Sequence, residues 1–287
     1  MQVLHEDGRT ASRKSYMWLV CSGGDADTGP PIVIYNYRAT RAGQNAVELT
    51  DGFKGHYLMC DGYQGYNKVR GVIRCACLAH VRRKFSDAIP RKDGKEVPGS
   101  PASAGRDYCS TLFMWERKFA GMAADRRKNA RLEHEKPVLD GFRTWLDGQK
   151  PVAGSRLGKA VDYALNMWPF MQNYLLDGHL EISNQKAENH VRPFAVGRRN
   201  WLFSDSVNGA VASCAIYSLI ETAKASRLHI KPYLEHVMKY MRDHANGSGR
   251  IDDILPWSEE MQERYSQSVK VQVTDSELRE LEQDTLT

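Results

Sequence analysis

No stretch of the 287-residue chain approaches the roughly 18 consecutive apolar residues of a membrane span. The N-terminus, MQVLHEDGRTASRKSYMWLV, also lacks the continuous apolar core of a secretory signal. Both absences predict a cytoplasmic protein with no membrane partner. Paired C-x-x-C sets are missing as well. The six cysteines, Cys21, Cys60, Cys75, Cys77, Cys109 and Cys214, are scattered, which argues against a zinc site and for buried free thiols. A strong charge excess is absent, and the formal net charge of +5 permits a polyanionic partner without establishing one. There is no internal repeat and no low-complexity tract. What the chain does have is 41% hydrophobic residues, enough to build one large domain or two modest ones.

The first third reads as strands. Residues 15–21 (SYMWLVC) and 31–37 (PIVIYNY) are short apolar and aromatic runs separated by the turn-rich SGGDADTGP, as expected of adjacent antiparallel strands. Val3 and Leu4 read as the tail of an earlier strand. The polar segment 41–50 suits a short helix, 56–60 (HYLMC) a buried strand closed by Asp61-Gly62, and 72–78 (VIRCACL) a fifth strand. From Ala79 the apolar spacing turns helical. Residues 91–104 form a Pro, Gly and Ser-rich connector, and 108–124, 126–146 and 156–176 read as three successive helices. Ser183 and Asn184 are N-cap residues for a short helix carrying Glu188, which Pro193 should end or kink. Residues 210–225 and 232–242 are two further helices, and the end of the chain is charged.

Strands, a short helix, a strand ending in Asp, another strand and then helices is the order of a ribonuclease H-like fold. The expected architecture is therefore α/β, a ribonuclease H-like mixed sheet with a helical insert and a C-terminal helical extension. Its catalytic domain would span 1–208 with the insert at about 102–178. A helical domain would follow over 209–257, and a charged tail over 258–287.

Three groups of residues can carry chemistry. Asp61 sits where a buried strand opens into a glycine-marked turn, so its carboxylate can project from a sheet end, although Asp-Gly taken alone is also ordinary turn chemistry. Glu188 lies in SNQKAENHVRPFAVGRRNWLF, followed closely by Arg192, Arg198 and Arg199 with Trp201 interleaved. A carboxylate that binds Mg²⁺ beside guanidinium groups that grip phosphate is what phosphodiester chemistry needs; a solvated Glu and Arg face is the plainer reading. His80, Arg82, Arg83 and Lys84 make a second basic cluster, suited to the DNA backbone or, more simply, to solvent.

Together, CDGYQGY around Asp61, CLAHVRRKF from Cys77 and AENHVRPFAVGRRNWLF from Ala187 resemble the insertion-sequence-66 transposase family. The resemblance continues through YSLIETAKASRLHIKPYLEHVM and ends with ILPW at residues 254–257. It implies an Asp, Asp, Glu triad that binds two divalent ions, Mg²⁺ or Mn²⁺, for DNA strand cleavage and transfer, with Asp61 the second acid and Glu188 the third. DNA, both insertion-sequence ends and target, would be the partner. A homo-oligomer in the synaptic complex and accessory proteins of the element would complete the machinery.

The family's first Asp lies immediately before the segment that VQVLHEDG resembles, and the chain begins there with Met1, so that acid has no counterpart. Glu6 and Asp7 read as part of the following turn. A helical, zinc-binding recognition region that usually lies upstream has no counterpart either. The expectation is a catalytic region that is inactive alone. Two other readings stay open: a DNA-binding or partner-binding remnant without catalysis, and a ribonuclease H-like nuclease that hydrolyses without joining.

Overall fold

The computed structural model of the protein describes residues 1–24, 28–53 and 55–267; the remainder of the expected charged tail, 268–287, lies outside the described residues. The architecture is mixed α/β, and the chain divides into two compact units. One comprises Met1–Ala39 and the chain from Pro193 onward, the other Thr40–Arg192.

In the first unit, strands β2 (Tyr16–Ser22) and β3 (Ile32–Arg38) pair antiparallel, from Tyr16 opposite Arg38 to Ser22 opposite Ile32. The hairpin expected from the two apolar runs is thus present. The long helix α8 (Val207–Ala225) covers β3 and completes its hydrogen bonding with side chains. Thr222 Oγ1 accepts from Val33 N and donates to Val33 O, both at 3.0 Å, and Ser218 Oγ accepts from Tyr35 N at 2.8 Å. Hydroxyls one turn apart on a helix so blunt a strand edge that would otherwise be open. Val33, Tyr35, Phe194 and Cys214 form the buried core there. Short strand β1 (Val3–His5) runs parallel to β8 (Ser204–Ser206). Helices α9 (Ile230–Asp243) and α10 (Glu259–Tyr265) close a second core around Tyr233, Val237, Ile254 and Met261.

In the second unit, α1 (Gly43–Leu49) precedes β4 (Tyr57–Cys60), which pairs parallel with β5 (Ile73–Ala76) in a register that ends with Cys60 beside Ala76. Helix α2 (Leu78–Ala88) starts directly from β5. It buries Leu78, Val81 and Phe85, one helical face, against α3 (Pro101–Lys118), α5 (Lys136–Asp147) and α6 (Arg156–Met171). Phe85 meets the rings of Phe142 and Trp145 edge-on at 5.9 and 5.8 Å. Among the described residues the strands pair two by two, β1–β8, β2–β3, β4–β5 and, in the connector, β6 (Arg91–Lys92) with β7 (Lys95–Glu96). No described helix is long and apolar enough to cross a membrane.

Several boundaries differ from the sequence expectation, each for a local reason. The connector 91–104 contains a two-stranded hairpin, β6 (Arg91–Lys92) and β7 (Lys95–Glu96), because Asp93 and Gly94 both take the positive φ (53° and 76°) of a tight hairpin turn. Helix α3 starts early, at Pro101, because Ser100 Oγ accepts from Ser103 N and Pro is suited to the first turn. The helix expected over 126–146 is two: α4 (Ala124–His134) stops before Pro137, whose ring cannot continue the ladder, and α5 resumes from Lys136.

Between α3 and α4 lies a buried polar network. Arg131, 0% exposed, grips Glu116 with two donors at 2.7 and 3.0 Å and also donates to the carbonyls of Tyr174, Asp177 and Leu180. Burial pushes the Glu116 carboxyl up, but hydrogen bonds and charge from Arg131 and Arg127 override it and hold the group below the usual range. Neighbouring Glu135 is also fully buried; it accepts from the Tyr174 hydroxyl at 2.7 Å, while its other oxygen has no partner. Burial, reinforced by the charge of Glu116, pushes its carboxyl up to about 8.

The linkage has a definite sign. The folded protein keeps the Glu135 proton over a pH range, from about 4.5 to about 8, in which the unfolded chain releases it. Stability contributed by this group is therefore present in full below the lower value and lost as pH rises through the window. Glu135→Gln is expected to remove that loss. Urea unfolding of the two proteins should diverge by up to about 1.4 kcal/mol per pH unit between pH 5 and 8, the variant gaining; a difference constant with pH would contradict a neutral Glu135.

Candidate functional site

Asp61 follows the last residue of β4, and Cys77 follows the last residue of β5, so both stand at the C-terminal end of a parallel strand pair. That end is where α/β sheets gather functional loops. Cys77 N donates to Cys60 O at 3.1 Å, which ties the two exits together. Asp61 Oδ1 accepts from Tyr63 N at 2.9 Å, so the Asp-Gly turn is real turn chemistry, and the same bond fixes the carboxylate. Its Oδ2 faces Arg41 Nη2 at 3.8 Å, and that guanidinium stacks 4.4 Å from the Tyr63 ring centroid. Arg74, buried in β5, holds the turn from beneath: it donates to Asp61 O at 2.8 Å, Asn67 Oδ1 at 2.5 Å and Cys60 Sγ at 3.2 Å. Gly62 is needed because Tyr163 of α6 packs onto it, and a Cβ there would run into the phenol.

Glu188 lies in the first turn of α7 (Gln185–Trp201). Its Oε1 is 3.3 Å from His80 Nε2 and its Oε2 is 3.9 Å from Arg83 Nη2, both on the first turns of α2. Cys77 is the residue before α2. Burial pushes its thiol up and the charge of Glu188 adds to that, while the N–H groups of Asn184, His80 and Ala79 pull the other way. Tyr163 is pushed up to about 12 by burial, then by the charge of Asp61, then by Cys77. The charge of Asp61 is thus felt at Tyr163, and that of Glu188 at Cys77. The thiols themselves are inert, with burial raising Cys60 to about 11 and Cys75 to about 12; all six cysteines are free, as expected.

The basic residues separate into two sets. On α2, Arg82 donates from Nε to Ser110 Oγ at 3.0 Å, Arg83 is exposed beside Glu188, and Lys84 Nζ lies 5.5 Å from the Tyr163 ring centroid. On α7, Arg192 is exposed in the same unit as Glu188, whereas Arg198, Arg199 and Trp201 fall in the other unit, the boundary passing before Pro193. Arg198 and Arg199 are exposed, and the Trp201 ring is half-buried, edge-on to Phe194 at 5.2 Å. The helix does not end at Pro193 but runs on to Trp201. The carbonyl that Pro193 cannot serve belongs to exposed Asn189, where water can satisfy it. Leu202, at φ 61°, ends it instead.

Hard carboxylate oxygens are the donors that Mg²⁺ and Mn²⁺ prefer, and Asp61 and Glu188 supply them. Asn184, expected as a cap, leaves its Oδ1 buried without a partner one turn before Glu188, a further oxygen of the same kind. Among the described residues no three His, Cys, Asp or Glu form a ready metal cluster, so the fit is one of donor chemistry. Arg41, Arg74, Tyr163 and Cys77 escaped the sequence reading as site residues. Only Arg74 carried a signal, as a charge inside an otherwise apolar strand.

A family model described as "Transposase IS66 family" matches residues 1–212. Three curated relatives, all from Sinorhizobium fredii and all described as uncharacterized proteins, match over much of the chain. The one designated y4hP is 29% identical over 247 residues, covering 80% of this chain and 44% of the relative. That designated y4jD is 28% identical over 267 residues, covering 88% and 51%, and that designated y4qI is 26% identical over 272 residues, covering 88% and 48%. The chain spans about half the length of these relatives. No solved structure matches.

Proposed function

The chain belongs to the IS66 transposase family, and we propose that it is the catalytic region of a metal-dependent DNA transposase that cuts and joins DNA strands to move an insertion sequence. The observation that carries this reading is that Asp61 stands at the end of a parallel strand pair while Glu188 contacts His80 and Arg83 on the basic first turns of α2, the helix that follows the second of those strands. A ribonuclease H-like arrangement of the catalytic domain over residues 1–208, with the helices from about 102 to 178 as an insert, is part of the same proposal. So are the helical domain over 209–257 and assembly as a homo-oligomer on the element's ends.

Asp61 and Glu188 would hold divalent cations, which when bound supply Lewis-acid activation of a water or 3′-hydroxyl and offset charge on the leaving oxygen. The protein's own groups do the rest. Tyr63 N fixes one Asp61 oxygen, and His80 holds one Glu188 oxygen, so neither carboxylate must be ordered when DNA arrives. Arg41 and Arg83 are half-exposed beside the two acids and can transfer their donors to phosphate oxygens. Arg82, Lys84, Arg192, Arg198 and Arg199 offer further contacts to the DNA backbone, with Trp201 at the end of α7.

Labelled DNA carrying insertion-sequence ends, incubated in Mg²⁺ or Mn²⁺ with the protein joined to the upstream portion expected in this family, tests the reading. Cleavage and joining are the expected products. A normally folded protein that binds the ends yet neither cuts nor joins would overturn it, and cutting without joining of pre-cleaved ends would replace it with a nuclease.

A further inference from the structure

We infer that a cleft leading away from the acid pair, formed by Lys84, Arg91, Arg156 and Lys159, is a second binding site for the phosphate backbone of DNA. The inference rests on the transposase reading and adds to it a set of residues outside the acid site. The cleft lies in the Thr40–Arg192 unit and has a volume of about 540 Å³. Four cations line it against one acid, Asp87, over a floor that includes Ala88, Ile89 and Ala160.

Its position follows from two helix faces. On α6, Arg156, Lys159 and Tyr163 are spaced by three and four residues and so share a face, and Tyr163 is the residue packed on Gly62 beside Asp61. On α2, His80 and Lys84 are four apart, about 6 Å along the axis, and His80 is the residue held against Glu188. Lys84 joins the two rows, since its ammonium lies by the Tyr163 ring and it also lines the cleft. A strand that reaches the acids across the exposed edge of these packed helices therefore continues over Lys84 to Lys159 and Arg156.

The charges are available for that task. Lys84, Arg156 and Lys159 are exposed and make no ion pair with any described residue; Arg91 is held only by a 3.9 Å contact to exposed Glu96. Cations gathered in a concave, mostly positive site with few internal ion pairs gain little for folding and much for a polyanion, because each phosphate they neutralise releases a counterion.

Fluorescence anisotropy with a labelled duplex of arbitrary sequence, across a salt series, tests the inference on the whole chain. Arg156→Ala with Lys159→Ala is expected to weaken binding about tenfold at low salt and to reduce the slope of log affinity against log salt by roughly 2, one unit per lost phosphate contact. The charge-preserving pair Arg156→Lys with Lys159→Arg should bind like the parent. Circular dichroism verifies that each variant folds. Salt-dependent binding by the parent with an unchanged affinity and slope in the alanine pair would overturn the cleft and leave the proposed function standing. Absence of any binding by the parent at low salt would overturn both.

Discussion

Glu188→Gln, in the protein joined to the upstream portion expected in this family, is expected to lower Mg²⁺-dependent strand cleavage by about a thousandfold, with DNA binding undiminished. Gln keeps the shape of Glu188 and an oxygen that can accept from His80, so the start of α7 should stay where it is. What it loses is the charge that would hold a divalent cation, and a cation's contribution of several kcal/mol, about 4, corresponds to three orders of magnitude in rate. Asp61→Asn should behave alike, because its Oδ1 can still accept from Tyr63 N and keep the turn closed. Removing a negative charge from a surface that meets phosphate leaves affinity unchanged or raises it, so the loss would sit in the chemical step. Cleavage by either variant within tenfold of the parent would remove that acid from the catalytic set, whatever became of the family assignment.

The strands and helices that can be located from sequence are those whose own period declares them. The pairing of β2 with β3 follows from two apolar runs around a turn, and α2 from the spacing of Leu78, Val81 and Phe85. The candidate acids stand out in the sequence because each sits in a distinctive block, Asp61 between a buried strand and a glycine, Glu188 among arginines. What could not be read is whatever depends on residues far apart in the chain. Arg41 reaches Asp61 from another element, and Tyr163 sits in a stretch of α6 that reads as ordinary amphipathic helix until the Asp61-Gly62 turn is laid on it. Cys77 looked like one of several scattered thiols, yet it occupies the point where β5, α2 and the start of α7 converge. Pro193, expected to end or kink α7, does not end it, and the exposure of Asn189 lets water serve the carbonyl left without a donor.

Arg131 is the most concealed of these positions, and its replacement should have the largest effect on folding. ADRRKNARLEH reads as a solvated, charged helix, and nothing in it marks one arginine of three as fully buried. Arg131→Met fills a similar volume but leaves the Glu116 carboxylate with Arg127 in place of two guanidinium partners, and takes donors from the carbonyls of Tyr174, Asp177 and Leu180. Breaking one side of a buried pair costs about 3–5 kcal/mol, a large share of the roughly 5–15 kcal/mol that holds a domain folded. Urea unfolding should therefore show a midpoint far below the parent's, or no folded baseline at all. Arg131→Lys restores the charge but offers no planar fork for the carboxylate, and should recover only part of the loss. Pairing Arg131→Met with Glu116→Leu removes the carboxylate that has lost its main partner, while Arg127 keeps its contact with Glu181, and should recover more than the lysine does. If the double replacement were no more stable than Arg131→Met alone, the three carbonyl contacts, and not the ion pair, would be what Arg131 contributes.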